Sequence, residues 1–463
     1  MSLNKKWKEL VYAASGIGPN LLMVLMMAYY TDAVYPVGLK AGKEVWSVTG
    51  YSLIYPAVWG LCWTLVRIFD GIINVPLAHL TDNLRTKWGR RRPMIVMAFI
   101  PMVLSYLFLW LPIEYRENSV ANTVWIIAMA AVHFVTYTMC MLAFYGSLSS
   151  VCHDEAQRTR VSNFKSFFDT IGYCIIYALF PVFLGMGFNI RDLVFKCMPL
   201  MLTMLIPLFL IKEGVKYEGE GALDVQTRTG FFASLKTAFG NKLFMGWMIP
   251  NALSFFGLQL FLSAQNAMIS GWMELGPSYA AIMNTCAFAP VPLMLYLYYR
   301  LYKKHGIRIA YRTALLFFSV AILSFLFGGS VFWGNDIVPK LIIGCIGGIF
   351  GSYSIGAFFS MPYLVPSQIA SMELALTKKD NTAMYFAVQA ILTSIAGAIS
   401  TGVVYEYIKG LQVFGIERFG LAIVPCIVSV GCIVGAIFCM NIPKHYTREL
   451  VAKRLGIELD AEE

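Results

Sequence analysis

Apolar runs of about 20 residues or more recur twelve times along these 463 residues, separated by short polar breaks. A helix needs about 20 residues to cross about 30 Å of hydrocarbon, and lipid offers no partner to an unpaired peptide group. The chain is therefore expected to be an all-α membrane protein with twelve transmembrane helices. The spans read as 10–31, 49–78, 93–113, 121–150, 164–187, 193–211, 243–272, 278–299, 309–330, 338–370, 382–408 and 413–440. Only 13% of residues are charged and 58% are hydrophobic, where a soluble domain carries about 25% charge. The opening "MSLNKKWKEL" leads into a run too long for a removed signal and without a small-residue cleavage site, so it reads as the first span. With the N-terminus inside, most loop lysines and arginines fall on the cytoplasmic side, which predicts both termini in the cytoplasm. The net charge of +10 is then loop charge facing anionic lipid, and nucleic-acid binding is not expected. The ten cysteines stand singly, almost all within spans, and read as small core residues rather than disulfides or metal ligands.

The longest polar break, residues 212–242, follows the sixth span and divides the chain into an N-terminal six-helix bundle (1–211) and a C-terminal one (243–440), with a cytoplasmic tail at 441–463. The break after span two, "TDNLRTKWGRRRP", and the break after span eight, "YRLYKKHGIRIAYR", hold Lys87-Trp88-Gly89 and Lys304-His305-Gly306, 217 residues apart. Matched loops at matched positions suggest a duplicated unit. Two such bundles joined by a cytoplasmic loop resemble the major facilitator fold, whose substrate sits near the midplane between the halves. The acidic residue, glycine and arginine cluster of that superfamily's loop are supplied by Asp82, Gly89, Arg90, Arg91 and Arg92. They read as a cytoplasmic gate, with Asp82 pairing with a basic partner in one conformation and releasing it in the other.

An ionisable side chain inside a span costs a few kcal/mol even on lenient scales, so it is expected to face a cavity or a partner. In and just before "RIFDGIINVP", residues 67–76, Trp63, Arg67, Asp70 and Asn74 recur at steps of four, three and four and share one stripe. That stripe is expected to line an aqueous path. Lys165 and Asp169 share a face of span five at i, i+4; they can pair with each other, or Lys165 can answer Asp70. The second half is nearly free of buried charge but carries amide stripes: Asn251, Gln259 and Asn266 on span seven, with Phe255 and Leu262 between them, and Asn381, Tyr385 and Gln389 on span eleven. Amides fix hydroxyls and aromatic rings pack on sugar faces, so these positions are candidate substrate contacts; the competing use of each is hydrogen bonding between helices. His133, one turn before Tyr137, reads as a packed residue. No nucleophile elbow, zinc-protease helix or Walker sequence occurs, so no enzyme activity, metal or ATP-driven pump is expected.

"YYTDAVYPVG", "RIFDGIINVPLAHLTDNLRTKWGRRRP", "YGSLSSVCHDEAQRTRVSNFKSFFDTIG" and "MPYLVPSQIASME" together resemble the glycoside-pentoside-hexuronide:cation symporters, the melibiose permease group, best over the first 175 residues. The resemblance implies that Asp70 matches the family's first helix-two acid at its sugar and cation region. The second helix-two acid falls on Asn74, the helix-four acid on Met141, the helix-one sugar-binding acid on Gly16 and the helix-eleven lysine on Ser394. Lys165 lies near the family's helix-five basic residue. An amide and a thioether in place of two carboxylates leave too few hard oxygens for the family's sodium site. A proton needs one carboxyl group, which Asp70 or Asp169 supplies. With acids lost and Arg67 and Lys165 kept, a sugar acid and a neutral sugar both stand as substrates. The expected function is a monomeric sugar or glycoside importer, proton-coupled and working by alternating access, in a bacterial inner membrane. A lipid or lysolipid carrier of the same fold and a non-transporting sugar sensor are the alternatives.

Overall fold

The computed structural model describes residues 6–84, 86–89, 91–147, 155–211, 239–377, 382–413, 416 and 418–455. Among them twelve helices are long and apolar enough to cross a membrane. They are α1 (Lys6–Val34), α2 (Pro56–Asn83), α3 (Arg91–Leu109), α4 (Val120–Gly146), α5 (155–185), α6 (Ile190–Leu210), α7 (Lys242–Trp272), α8 (Pro277–His305), α9 (Ile307–Phe327), α10 (Ile337–Thr377), α11 (382–408) and α12 (Phe419–Asn441). The chain is an all-α membrane protein.

Some ends differ from the sequence reading. Residues 49–55 are not the start of the second helix: Pro56, whose missing N–H costs nothing in a first turn, opens it. The preceding segment bends at residues 49–51, with Gly50 at φ +75°, and then bridges Ile54 to Ser119. Asn122 holds this outer corner together. Its Oδ1 accepts from the N–H groups of Ile113 and Glu114 at 3.0 and 3.2 Å, and its Nδ2 donates to the carbonyls of Leu53 and Glu114. Helix α5 begins at Glu155, a helical turn or more ahead of the expected start, and α10 continues to Thr377.

The chain divides into two compact units, Met1–Asp224 with Gly276–Ala281, and Val225–Leu275 with Ile282–Glu463. Inside the first, α1 packs on α5 and α6, and α4 on α2 and α3; inside the second, α7 packs on α11 and α12, and α10 on α8 and α9. The same pairing displaced by six helices is the signature of a repeated unit. The repeat extends to local geometry. Gly89 and Gly306, paired by the loop comparison, both take positive φ, +99° and +82°, and α5 and α11 each carry a π-helical turn, at Ile175–Leu179 and Ile399–Tyr405.

Helix α1 breaks at Gly16, where Ser15 ends one segment and Ile17 begins the next. Two residues on, Pro19 has no N–H to offer the carbonyl of Ser15, and Thr203 of α6 donates to that carbonyl at 2.8 Å. The helices meet closely there, because a Cβ on Gly18 would collide with the carbonyl oxygen of Leu200. Gly18→Ala is expected to lower the melting midpoint through an overpacking cost of about 1–3 kcal/mol. Thr203→Val is expected to cost about 1–3 kcal/mol through the orphaned Ser15 carbonyl, while Thr203→Ser stays near wild type. Thermal denaturation of the three purified variants checks this.

Candidate functional site

The stripe on α2 is enclosed by its own unit instead of lining an open path. Trp63 stacks on Trp59 at 5.2 Å and on Tyr30 at 6.0 Å, and meets Phe134 edge-on at 6.2 Å. Arg67, 7% exposed, places Nη1 3.4 Å from Asp70 Oδ2 and its guanidinium 5.1 Å from the Phe134 ring. Thr138 of α4 donates to the other Asp70 oxygen at 3.3 Å. Asn74 turns back on its own helix and donates to the Asp70 carbonyl at 2.7 Å. The spacing of four, three and four brought these residues to one face, as the sequence implied, but α4 and α1 cover that face with aromatic rings. A charge pair so placed is held from both sides.

A second constellation is open. On α5, Lys165 Nζ donates to Asp169 Oδ2, so Lys165 answers Asp169 and not Asp70. The two side chains keep 22% and 30% of their surface exposed. Asn20 of α1 donates from Nδ2 to Asp169 Oδ1 at 2.9 Å and lies 3.4 Å from the Tyr145 hydroxyl. Its Oδ1 accepts from Tyr137 of α4 at 2.7 Å. Lys165 Nζ also lies 4.5 Å from the centre of the Tyr145 ring. Three helices thus converge on one ion pair, one amide and two phenols. Donors, acceptors and an aromatic face are the groups that recognise a polyhydroxylated ring. Asn20 was not singled out from the sequence; the signal was available as an amide directly after the Gly16–Pro19 break in "SGIGPNLL". Tyr145 carried no signal, since one tyrosine near a helix end looks like any other. His133 is packed, as expected. Its Nδ1 carries the proton donated to the Met102 carbonyl at 3.2 Å, and its ring stacks on Tyr137 at 6.2 Å.

The amide positions of the second unit mostly serve the scaffold. Gln389 donates to the carbonyl of Pro362 at 2.8 Å, the group that Pro366, lacking an N–H, leaves without a helical donor. The Tyr385 hydroxyl donates to the Glu373 carboxylate and accepts from Asn241, which itself caps α7 through Leu243 and Phe244. Asn251 is 1% exposed and lies on the α7 face that meets α9, where Trp247 packs on Tyr311 at 4.7 Å and Ser254 bonds the Tyr311 hydroxyl at 2.6 Å. Asn266 is buried as well, while Gln259 keeps partial exposure. Of the five expected positions Gln389 and Tyr385 are bonded within the unit, Asn251 and Asn266 are buried, and Gln259 is partly exposed; amide spacing alone does not say which face a neighbouring helix takes.

In the expected gate the Asp82 and Arg90 side chains lie outside the described residues, as does Asn381. Gly89 closes a tight turn in which its N–H and the Thr86 carbonyl lie 3.0 Å apart, and Arg91 is buried at the start of α3. Near the start of α1, Glu9 accepts from Gln157 and Arg160 of α5 at 2.9 and 3.3 Å, a tie the sequence does not announce.

The family described as MFS/sugar transport protein matches residues 11–444, and this chain belongs to it. It is a major facilitator transporter and not an enzyme. Among curated relatives, an uncharacterized symporter of Synechocystis sp. is 25% identical over 187 residues, 39% of this chain and 31% of that protein. The glucuronide carrier protein homolog of Escherichia coli K12 is 23% identical over 189 residues, 39% of this chain and 37% of that one. The aligned stretch therefore spans about a third of each relative's length. In fold, the chain is similar to the nucleoside transporter NupG, at 13% identity and a TM-score of 0.62 over 93% of this chain and 98% of that one. It is also similar to the D-xylose-proton symporter, at 14% identity and a TM-score of 0.65 over 94% and 97%.

Arg67→Met is expected to destabilise the protein by about 3–5 kcal/mol, because Asp70 would stay buried without its counter-charge. The double variant Arg67→Met/Asp70→Leu is expected to recover most of that loss. Melting of the two variants beside wild type checks whether the pair is held for structure.

Proposed function

We propose that this protein imports a sugar or glycoside by alternating access, coupled to inward movement of a proton. The observation that carries the reading is the partly exposed Lys165–Asp169 pair with Asn20, Tyr137 and Tyr145 around it. It joins hydroxyl-binding groups to a carboxylate in a family described by sugar transport. The names of a symporter and a glucuronide carrier homolog among its relatives, and of a D-xylose-proton symporter among its structural neighbours, support the same class. Proton coupling fits better than sodium coupling because Asn74 and Met141 stand where the family resemblance puts carboxylates, and an amide with a thioether is a poor hard-oxygen set. Asp70 is engaged by Arg67 and Thr138 inside the helix packing, which leaves Asp169 as the more accessible carboxyl group. Operation as a monomer in a bacterial inner membrane, with both termini in the cytoplasm, completes the proposal.

Uptake into proteoliposomes tests it. A labelled glycoside is expected to accumulate under an inward proton gradient, to lose accumulation when a protonophore is added, and to be indifferent to replacement of sodium by potassium. Accumulation that follows sodium and ignores the protonophore would overturn the coupling. Failure of every neutral and acidic glycoside to exchange would overturn the substrate class.

A further inference from the structure

We propose that Asp169 is an internal stand-in for an acidic group on the substrate: a sugar carboxylate displaces it from Lys165, and the freed Asp169 takes up the proton that travels with the sugar. This rests on the sugar-transport reading above and deepens it by naming the substrate class, a sugar acid, and the order of events.

Arg67 and Lys165, the two basic candidates of the first unit, are not equivalent. Arg67 is buried, paired within its own helix and covered by Phe134, so no substrate group reaches it without repacking. Lys165 is the reachable cation, and among the described residues its ion-pair partner is Asp169. The pair carries no net charge, and among the described residues the groups set around it from α1 and α4 are the neutral amide of Asn20 and the phenols of Tyr137 and Tyr145. Adding a carboxylate alone would leave one uncompensated negative charge within the membrane, which is costly. Adding a carboxylate and a proton leaves none. Lys165 then binds the substrate oxygen in place of Asp169 Oδ2, and one O–H bond forms on the Asp169 carboxylate from hydronium on the open side. That bond breaks when the sugar leaves and Lys165 returns to Asp169; no bond within the sugar changes. Asn20 holds Asp169 through both states, because a neutral carboxyl group still offers an accepting oxygen. Binding that takes up a proton tightens as pH falls, by up to about tenfold per pH unit for one proton taken up.

Calorimetry of the purified full chain decides this, with methyl β-D-glucuronide and methyl β-D-glucoside titrated in two buffers of different ionisation heat. The expected result is uptake of one proton per glucuronide and none per glucoside. Asp169→Asn is expected to bind the glucuronide about tenfold tighter at neutral pH, to take up no proton and to show a flat pH profile, since Lys165 no longer has an internal competitor. Asp169→Glu is expected to restore proton uptake. Glucuronide binding to wild type without proton uptake would overturn the proposal, as would an Asp169→Asn protein that melts like wild type yet binds the glucuronide more weakly. Binding of the glucoside alone would overturn it while leaving the sugar reading intact, and binding of neither glycoside would overturn both.

Discussion

A peptide group in hydrocarbon must find its partner inside the protein, and this chain places prolines where the helical ladder cannot supply one. Pro19 leaves the Ser15 carbonyl without a donor, and the Thr203 hydroxyl of a neighbouring helix fills the gap. Pro366 leaves the Pro362 carbonyl, and the Gln389 amide fills that one. Each repair ties two helices at a fixed height. The break in α1 also sets the direction of the next turn, and the first residue after Pro19 is Asn20, the amide on which Tyr137, Tyr145 and Asp169 converge. The candidate site therefore depends on a backbone problem solved one turn below it.

Two ion pairs within single helices of the first unit show how burial divides similar chemistry. Arg67–Asp70 and Lys165–Asp169 are both intrahelical pairs, at i, i+3 and i, i+4. Aromatic rings and a threonine enclose the first, where breaking it exposes the full desolvation penalty. Polar groups flank the second, whose side chains keep 22% and 30% of their surface exposed, and the proposed exchange of partners draws on that access. A transporter needs both kinds: a rigid polar anchor that keeps helices in register, and a labile one whose rearrangement can report a bound ligand.

The twelve helices and the repeat were legible because each is a property of the chain read in one dimension. Apolar length decides whether a segment can cross a bilayer, and Lys304-His305-Gly306 echoes Lys87-Trp88-Gly89 because both glycines serve positive-φ turns. Helix ends were less legible. Residues 49–55 are as apolar as the helix they precede, and only Pro56 with the Ile54–Ser119 bridge reveals that they stand outside it. The site was half legible. Lys165 and Asp169 stood out as charges inside a span, whereas Gln389 and Tyr385 looked like ligand contacts and bond a proline carbonyl and a buried carboxylate.

The sequence by itself determined that this is a helical membrane protein with a duplicated pattern and a small set of intramembrane charges. Those follow from hydrophobic run length and from the cost of charge in lipid, both of which act on residues individually. Which charges are sealed and which are open was decided by tertiary structure. The same spacing that puts Trp63, Arg67 and Asp70 on one face says nothing of the helix that covers it, and Tyr30, Phe134 and Thr138 arrive from elements far along the chain. Asn20 meets Asp169 across 149 residues of sequence, a contact that only the packing of α1 against α5 creates.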